Sequence, residues 1–251
     1  ETREEWALGG AANVARWLAA DPTLTVTLMS PHGRDVTSGR LQNLCEEAGV
    51  RLSRRLFDPA LGVTVKERLL AEDPERDTVH HLLRVDRDVV GEVRGTDLAP
   101  LRHDLWVSCR WDAIVAIDCD KFTFRGETGA SIASFVGRAP CVRIVNSKCP
   151  ARWSEAACHL LVCNQQEMTD AFGIHNPVQA RAQVRGGCLI VTCGAGGVTA
   201  VLTDSPIHRL TEAREVVDVC GAGDAFTAGL TQAALHHTPR GLERLQPVAL
   251  V

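Results

Sequence analysis

The chain has 251 residues with 27 Lys+Arg against 31 Asp+Glu, a net charge of −4 and 45% hydrophobic residues. That length fits one large α/β domain and is enough to bury a substantial core. The mild negative charge is scattered rather than blocked, so it gives no electrostatic case for nucleic acid or for an acidic membrane surface. No apolar run approaches the roughly 18 residues of a transmembrane helix, and the acidic, polar start Glu1-Thr2-Arg3-Glu4-Glu5 is unlike a signal peptide.

In chain order, Leu8-Gly9-Gly10-Ala11-Ala12-Asn13-Val14-Ala15 comes first. Small residues before a helix allow a ligand to come close, and Asn13 offers both a donor and an acceptor to a polyol. Read alone, the same residues make a tight loop packed on a helix. Thr23 to Met29 is a β-rich run. Gly39 to Val50 is helical, with Leu41, Leu44, Cys45 and Ala48 on one face. Leu61 to Leu70 and Val79 to Val85 read as two strands joined by the polar turn Glu72-Asp73-Pro74-Glu75-Arg76-Asp77. Strand meets strand there with no helix between, so the segment of about 61–85 is expected to be a lid-like hairpin.

Strands and helices then alternate. Strands are expected at Ala113–Ile117, Cys141–Val145, Leu160–Cys163, Leu189–Thr192 and Val198–Leu202, and helices at Gly129–Gly137, Gln166–Phe172 and Pro177–Arg185. This order predicts a doubly wound, mostly parallel sheet with helices on both faces, and a ligand site beyond the carboxyl ends of its strands. The ten cysteines form no Cys-x-x-Cys pair and have no zinc-type spacing with histidine. They read as reduced, mostly buried thiols of a cytosolic protein.

The strongest chemical signal is Asp218-Val219-Cys220-Gly221-Ala222-Gly223-Asp224. Val216, Val217 and Val219 read as the end of a buried strand, and Asp224 to His236 as a helix. Gly221, Ala222 and Gly223 present N–H groups at a helix start, where the positive dipole end favours a phosphate. Asp224 either caps that helix or takes a proton from an attacking hydroxyl. Turn and acid together point to phosphoryl transfer from a nucleotide to an alcohol. No Gly-x-Gly-x-x-Gly opens the first βα unit, which argues against a dinucleotide-binding dehydrogenase.

The front motif Gly9-Gly10-Ala11-Ala12-Asn13-Val14-Ala15 and the back motif ending at Asp224 resemble the two signatures of the ribokinase-like (PfkB) carbohydrate kinases. The resemblance covers nearly the whole chain. It implies a single ribokinase-like domain over 1–251 with ATP and Mg2+ as cofactors and a sugar or sugar phosphate as acceptor. Catalysis would fall to Asp224 with Gly221, Ala222 and Gly223, and sugar binding to Gly9, Gly10 and Asn13. Asn164-Gln165-Gln166-Glu167 resembles the family's Asn-x-x-Glu motif, in which Glu167 reaches the metal through water; the bland alternative is an ordinary acidic helix start. Thr192-Cys193-Gly194-Ala195-Gly196-Gly197 resembles a nucleotide-side glycine loop, or else is a plain hairpin turn. Thr192, Gly194 and Gly197, with Asn164 and Lys148, would then serve the nucleotide.

Within the family the likeness is greatest to the heptose 7-phosphate kinases that feed lipopolysaccharide core synthesis. Val63-Thr64-Val65-Lys66-Glu67-Arg68 and Leu83-Arg84-Val85-Asp86-Arg87 resemble that group's lid strands, and Asp118-Cys119-Asp120-Lys121 its acid–x–x–Lys segment. Lys66, Arg84 and Lys121, with Asp118, would take the substrate. Asn146-Ser147 replaces the group's Asp-Pro, and Phe122 stands where it has Gly. The family's Asp-bearing first strand would precede Glu1 and a late helix would follow Leu245, so both ends are expected to be incomplete. A homodimer through the lid is also implied. Two alternatives stay open: another kinase of the family acting on ribose, a ketohexose or a nucleoside, and a non-catalytic sugar- or nucleotide-binding protein of this fold.

Overall fold

The computed structural model describes residues 3–73, 78–89, 99–104, 111–185, 187–202, 205–211, 221–237 and 246–250. The expected strand at 216–219 and the hairpin turn at 74–77 lie outside the described residues.

Helix α1, Ala11–Ala19, begins at Gly10, whose φ of 52° suits glycine. Strand β1 is Leu24–Leu28, and α2 is Val36–Glu47. The latter starts three residues before the expected Gly39, because Asp35 accepts from the Ser38 amide at 2.9 Å and caps it. A short strand β2, Arg51–Leu52, follows. Next come β3, Val65–Asp73, and β4, Thr78–Arg87, an antiparallel pair with a bulge between Leu69 and Leu70. These two strands form a sheet of their own, as the uninterrupted strand–strand order predicts.

A one-turn helix α3, Ala99–Arg102, precedes the alternating half. Its elements are β5 (Ala113–Asp118), α4 (Gly126–Arg138), β6 (Val142–Ser147), β7 (Leu160–Asn164), α5 (Gln165–Phe172) and α6 (Pro177–Arg181). Strands β8 (Cys188–Thr192), β9 (Val198–Val201) and β10 (Pro206–Arg209), helix α7 (Ala222–His236) and strand β11 (Gln246–Leu250) complete it. Helix α6 is shorter than the expected 177–185. Its last turn tightens into i→i+3 bonds (Gln183 to Ala180, Val184 to Arg181), and the Arg185 amide leaves to bond the Ser154 carbonyl.

The large sheet runs β10-β9-β8-β7-β6-β5-β11-β1-β2. All neighbours are parallel except β8–β9 and β9–β10. All six residues of β5 are buried, because helices cover both faces of a central parallel strand. Ile114 and Ala116 join one core with Ile132, Val136, Trp153 and Met168. Ala113, Val115 and Ile117 join the other with Val14, Leu18, Leu41 and Ala228. The doubly wound α/β class expected from the alternation is the observed one. The sequence reading did not foresee β11, which lies between β1 and β5 in the middle of the sheet.

One packing constraint is sharp. A Cβ on Gly129 of α4 would overlap the Phe124 carbonyl, and the Phe124 ring stands edge-on to Trp153 at 5.1 Å. Gly129→Ala is expected to cost about 2 kcal/mol by overpacking, a fall of several degrees in Tm. Gly229→Ala, where an added Cβ meets nothing within 4 Å, should leave Tm unchanged or raise it. Thermal unfolding followed by circular dichroism compares the two.

Candidate active site

The carboxyl ends of β5, β6, β7 and β8 meet the amino ends of α5 and α7 around a cleft of about 180 Å³. Asp118 and Cys119 line it from the end of β5, Asn146 and Lys148 from β6, and Asn164 from β7. Thr192 closes the β8 side, Glu167 comes from α5, and Gly223, Asp224 and Phe226 come from α7.

Helix α7 starts after Gly221, which has a φ of 80° and supplies no side-chain cap. Its first N–H groups are therefore left for the cleft. A Cβ on Gly221 would sit 2.9 Å from Asn13 Nδ2, so both conformation and space require glycine. Asp224 does not cap its own helix. Its Oδ2 accepts from Asn13 Nδ2 at 2.8 Å, joining two segments 211 residues apart. Burial pushes the Asp224 carboxyl above the usual carboxylate range; the Asn13 bond and the charges of Lys66 and Lys148 pull part of that back. The result is a carboxylate beside an uncapped helix start, an arrangement whose chemistry suits proton acceptance next to an anion.

Gly9 and Gly10 lie at the start of α1, with Gly10 so close to Cys119 that an added Cβ would be 3.5 Å from its Sγ. Asn13 is buried, and its amide donates to Asp224 and accepts from Arg16 Nη2 at 3.0 Å. Asp118 is 1% exposed. Its carboxylate accepts from Arg152 Nη1 at 2.5 Å, Trp153 Nε1 at 2.9 Å, Ser147 Oγ at 3.0 Å and the Asp120 amide at 2.9 Å. Those donors hold Asp118 as a brace between the β5 and β6 loops. Lys121 donates to Asp88 Oδ2 at 2.6 Å. Lys66 acts electrostatically on Asp224 from β3, whereas Arg84 pairs with Asp86 at 2.9 Å.

On the other side, Lys148 lines the cleft near Glu167. Asn164 and Glu167 form a capping box, each side chain bonded to the other's amide at 2.8 Å. Burial raises the Glu167 carboxyl from its ordinary value, against the Asn164 amide and Lys148, which lower it. Thr192 is at the cleft. Gly194 and Gly197 lie beyond it, in the turn joining antiparallel β8 and β9, where a Cβ on Gly197 would overlap the Arg209 carbonyl.

Three residues absent from the expected set belong to this architecture. Arg16 follows Asn13 by one helical turn, a spacing readable in sequence. Arg68 faces Arg84 directly across the hairpin, readable only once the register is known. Arg152 reaches Asp118 from a 3-10 turn, Pro150–Trp153, and no periodicity announces it. Among the described residues, no group of three His, Cys, Asp or Glu side chains is placed to hold a metal ion. No described helix is long and apolar enough to cross a membrane.

The pfkB family carbohydrate kinase model matches residues 140–244. The chain is 31% identical over 245 residues to the bifunctional protein HldE of Caulobacter vibrioides, covering 92% of this chain and 48% of that protein. The chain thus spans about half the length of such bifunctional relatives. It is also 31% identical over 238 residues to the D-beta-D-heptose 7-phosphate kinase of Bordetella bronchiseptica, with 91% and 72% covered. Among solved structures, ribokinase from Thermotoga maritima superposes with a TM-score of 0.65 at 18% identity, covering 95% of this chain and 79% of that one. Phosphofructokinase-2 from Escherichia coli in complex with fructose-6-phosphate gives 0.65 at 17%, with 93% and 77% covered. These two likenesses are of fold.

Proposed function

The chain belongs to the pfkB family of carbohydrate kinases, and we propose that it transfers the γ-phosphoryl group of ATP to a hydroxyl of a phosphorylated sugar, a heptose 7-phosphate. The observation that carries this reading is Asp224, held by Asn13 at the uncapped start of α7. The acceptor hydroxyl binds against the Asp224 carboxylate, with Gly9 and Gly10 leaving room for the sugar. As its oxygen bonds to the γ-phosphorus, its proton passes to Asp224 and the bond to the β-phosphate oxygen breaks, releasing ADP. The N–H groups of Gly221, Ala222 and Gly223 stabilise charge on the moving group; such donors are typically worth about 3 kcal/mol of barrier.

Lys148 and Thr192 lie on the nucleotide side of the cleft, and Asn164 orders Glu167. The donor set fits Mg2+ carried in by the nucleotide phosphates, because that ion keeps most of its waters and needs only one or two carboxylates. Glu167 would reach it through water, and the ion would neutralise charge on the phosphates.

In this reading the hairpin over 61–85 is the lid of a single kinase domain spanning 1–251. It covers the acceptor and excludes water. Leu83 is 56% exposed, as are much of Leu69, Leu70 and Leu82, and a two-stranded sheet rarely stands alone; both support a homodimer through the lid. Eight free cysteines among the described residues support a reducing, cytoplasmic setting. The curated relatives support a place in heptose and lipopolysaccharide metabolism.

The cations decide the acceptor. Arg68 and Arg84 are opposed on one face of the lid, and opposed like charges are unfavourable unless an anion joins them. The engagement of Lys121 with Asp88 and of Arg84 with Asp86 favours a second reading, an unphosphorylated sugar as acceptor. Arg84→Gln separates the two. It is expected to raise KM for heptose 7-phosphate about tenfold and to leave KM for ATP and for free ribose or fructose unchanged. An unaltered KM for the phosphorylated sugar would favour the second reading.

A further inference from the structure

We infer that Arg16 is a positioning residue for Asp224: its guanidinium fixes the Asn13 amide so that Nδ2, and not Oδ1, faces the Asp224 carboxylate. An asparagine amide has nearly the same shape either way round, so its neighbours must choose its orientation. The Asp224 carboxylate accepts, which calls for Nδ2. That bond alone is 2.8 Å long and leaves Oδ1 pointing away. Arg16 Nη2 meets Oδ1 at 3.0 Å. A guanidinium only donates and does not lose its proton, so it accepts no alternative arrangement at any working pH. Arg16 is steadied in turn by lying over the Trp17 ring, 5.4 Å from its centroid.

The consequence is directional. Were the amide to flip, two acceptors would face each other and the carboxylate would lose the one side-chain donor it has among the described residues. The other described groups that act on or lie beside Asp224 do not turn the amide. Lys66 from β3 and Lys148 after β6 act on Asp224 through charge, and the Cys119 thiol after β5 is raised by burial and by the Asp224 charge. On α7 itself, the Gly221 site has no side chain to reach Asn13. Arg16 therefore sets how readily Asp224 is ionised without touching it.

The test is a titration of the Asp224 side-chain carboxyl by carbon-13 NMR, its resonance assigned by loss in Asp224→Asn, at about 0.5 M salt to screen simple charge effects. Arg16→Met removes the donor at similar length and Arg16→Lys keeps a donor-only group. Arg16→Met is expected to raise the midpoint by about one pH unit and Arg16→Lys to restore most of it, with Tm little changed in both. An unmoved midpoint in Arg16→Met, or an equal shift in both variants, would overturn the inference. The NMR readout needs no turnover. The inference extends to catalysis only through the kinase reading, where the acid limb of the kcat profile should move with the midpoint. A shifted midpoint in a protein that turns over no sugar would count against that reading and leave the role of Arg16 standing.

Discussion

Asp224→Asn is expected to lower kcat by about a thousandfold or more while leaving ATP affinity within about twofold and the fold intact. General-base assistance typically supplies about 10²–10⁴ in rate, and the Asn side chain cannot accept the proton. The anion site survives, because it is made of backbone at Gly221, Ala222 and Gly223. Asn at 224 can still accept the Asn13 Nδ2 bond. The stability change has a definite sign. Burial, partly offset by Asn13, Lys66 and Lys148, raises the Asp224 carboxyl above its unfolded value. The folded state therefore holds the proton more tightly than the unfolded one, and the charged carboxylate weakens the fold once pH rises past that range. Removing the charge should leave Tm at neutral pH unchanged or higher. The same shift places the acid limb of the wild-type kcat profile above the ordinary aspartate range, with activity lost as pH falls through it. Steady-state kinetics, nucleotide titration and thermal unfolding check the three parts; near-normal turnover in the variant would remove Asp224 from the mechanism.

Arg152→Ala carries the largest expected effect on stability, a loss of about 3–5 kcal/mol. The Asp118 side chain is wholly buried and that of Arg152 is 23% exposed, the two meeting at 2.5 Å. Taking away the cation leaves a carboxylate in the interior with only neutral donors. Arg152 also bonds Asp120 at 3.0 Å, and Asp120 is the one described non-glycine residue with a positive φ, 56°. That backbone costs free energy and persists because Arg152 and Arg125 hold its side chain. Loss of Arg152 thus releases the loop carrying Cys119 and Lys121 as well as the brace under Lys148. Arg152→Lys, which keeps the charge but not the fork, should recover part of the loss. Ser147→Ala, removing one neutral donor, should cost only about 1 kcal/mol. Urea unfolding of the three variants tests the order; an Arg152→Ala protein as stable as the parent would show that the Arg152–Asp118 bridge does not hold the fold.

Much of this was legible in the chain before its structure. The alternation from Ala113 to Thr192 defined a parallel sheet because each strand is a short apolar run bounded by a helix of different period. The Gly-Ala-Gly-Asp turn announced an uncapped helix start with an acid beside it because its chemistry is local: glycine conformation, helix start and acid adjoin in sequence. What escaped depends on distance along the chain. Asn13 was expected to face a sugar, and nothing in its sequence neighbourhood reveals that its amide also bonds Asp224. Asp118 does line the cleft, but its donors Arg152 and Trp153 come from another loop and could not be read beside it. Strand β11 is five residues long and contains Pro247, which reads as a strand breaker. It pairs with β5 only from Val248 onward, so proline sits outside that part of the ladder.

The most direct test is phosphorus-31 NMR of this chain with ATP, Mg2+ and heptose 7-phosphate, run beside Asp224→Asn. The account predicts a new phosphomonoester resonance growing in step with ADP for the parent chain and absent in the variant. A resonance growing equally in both, or none with heptose 7-phosphate or any free sugar tried, would contradict it.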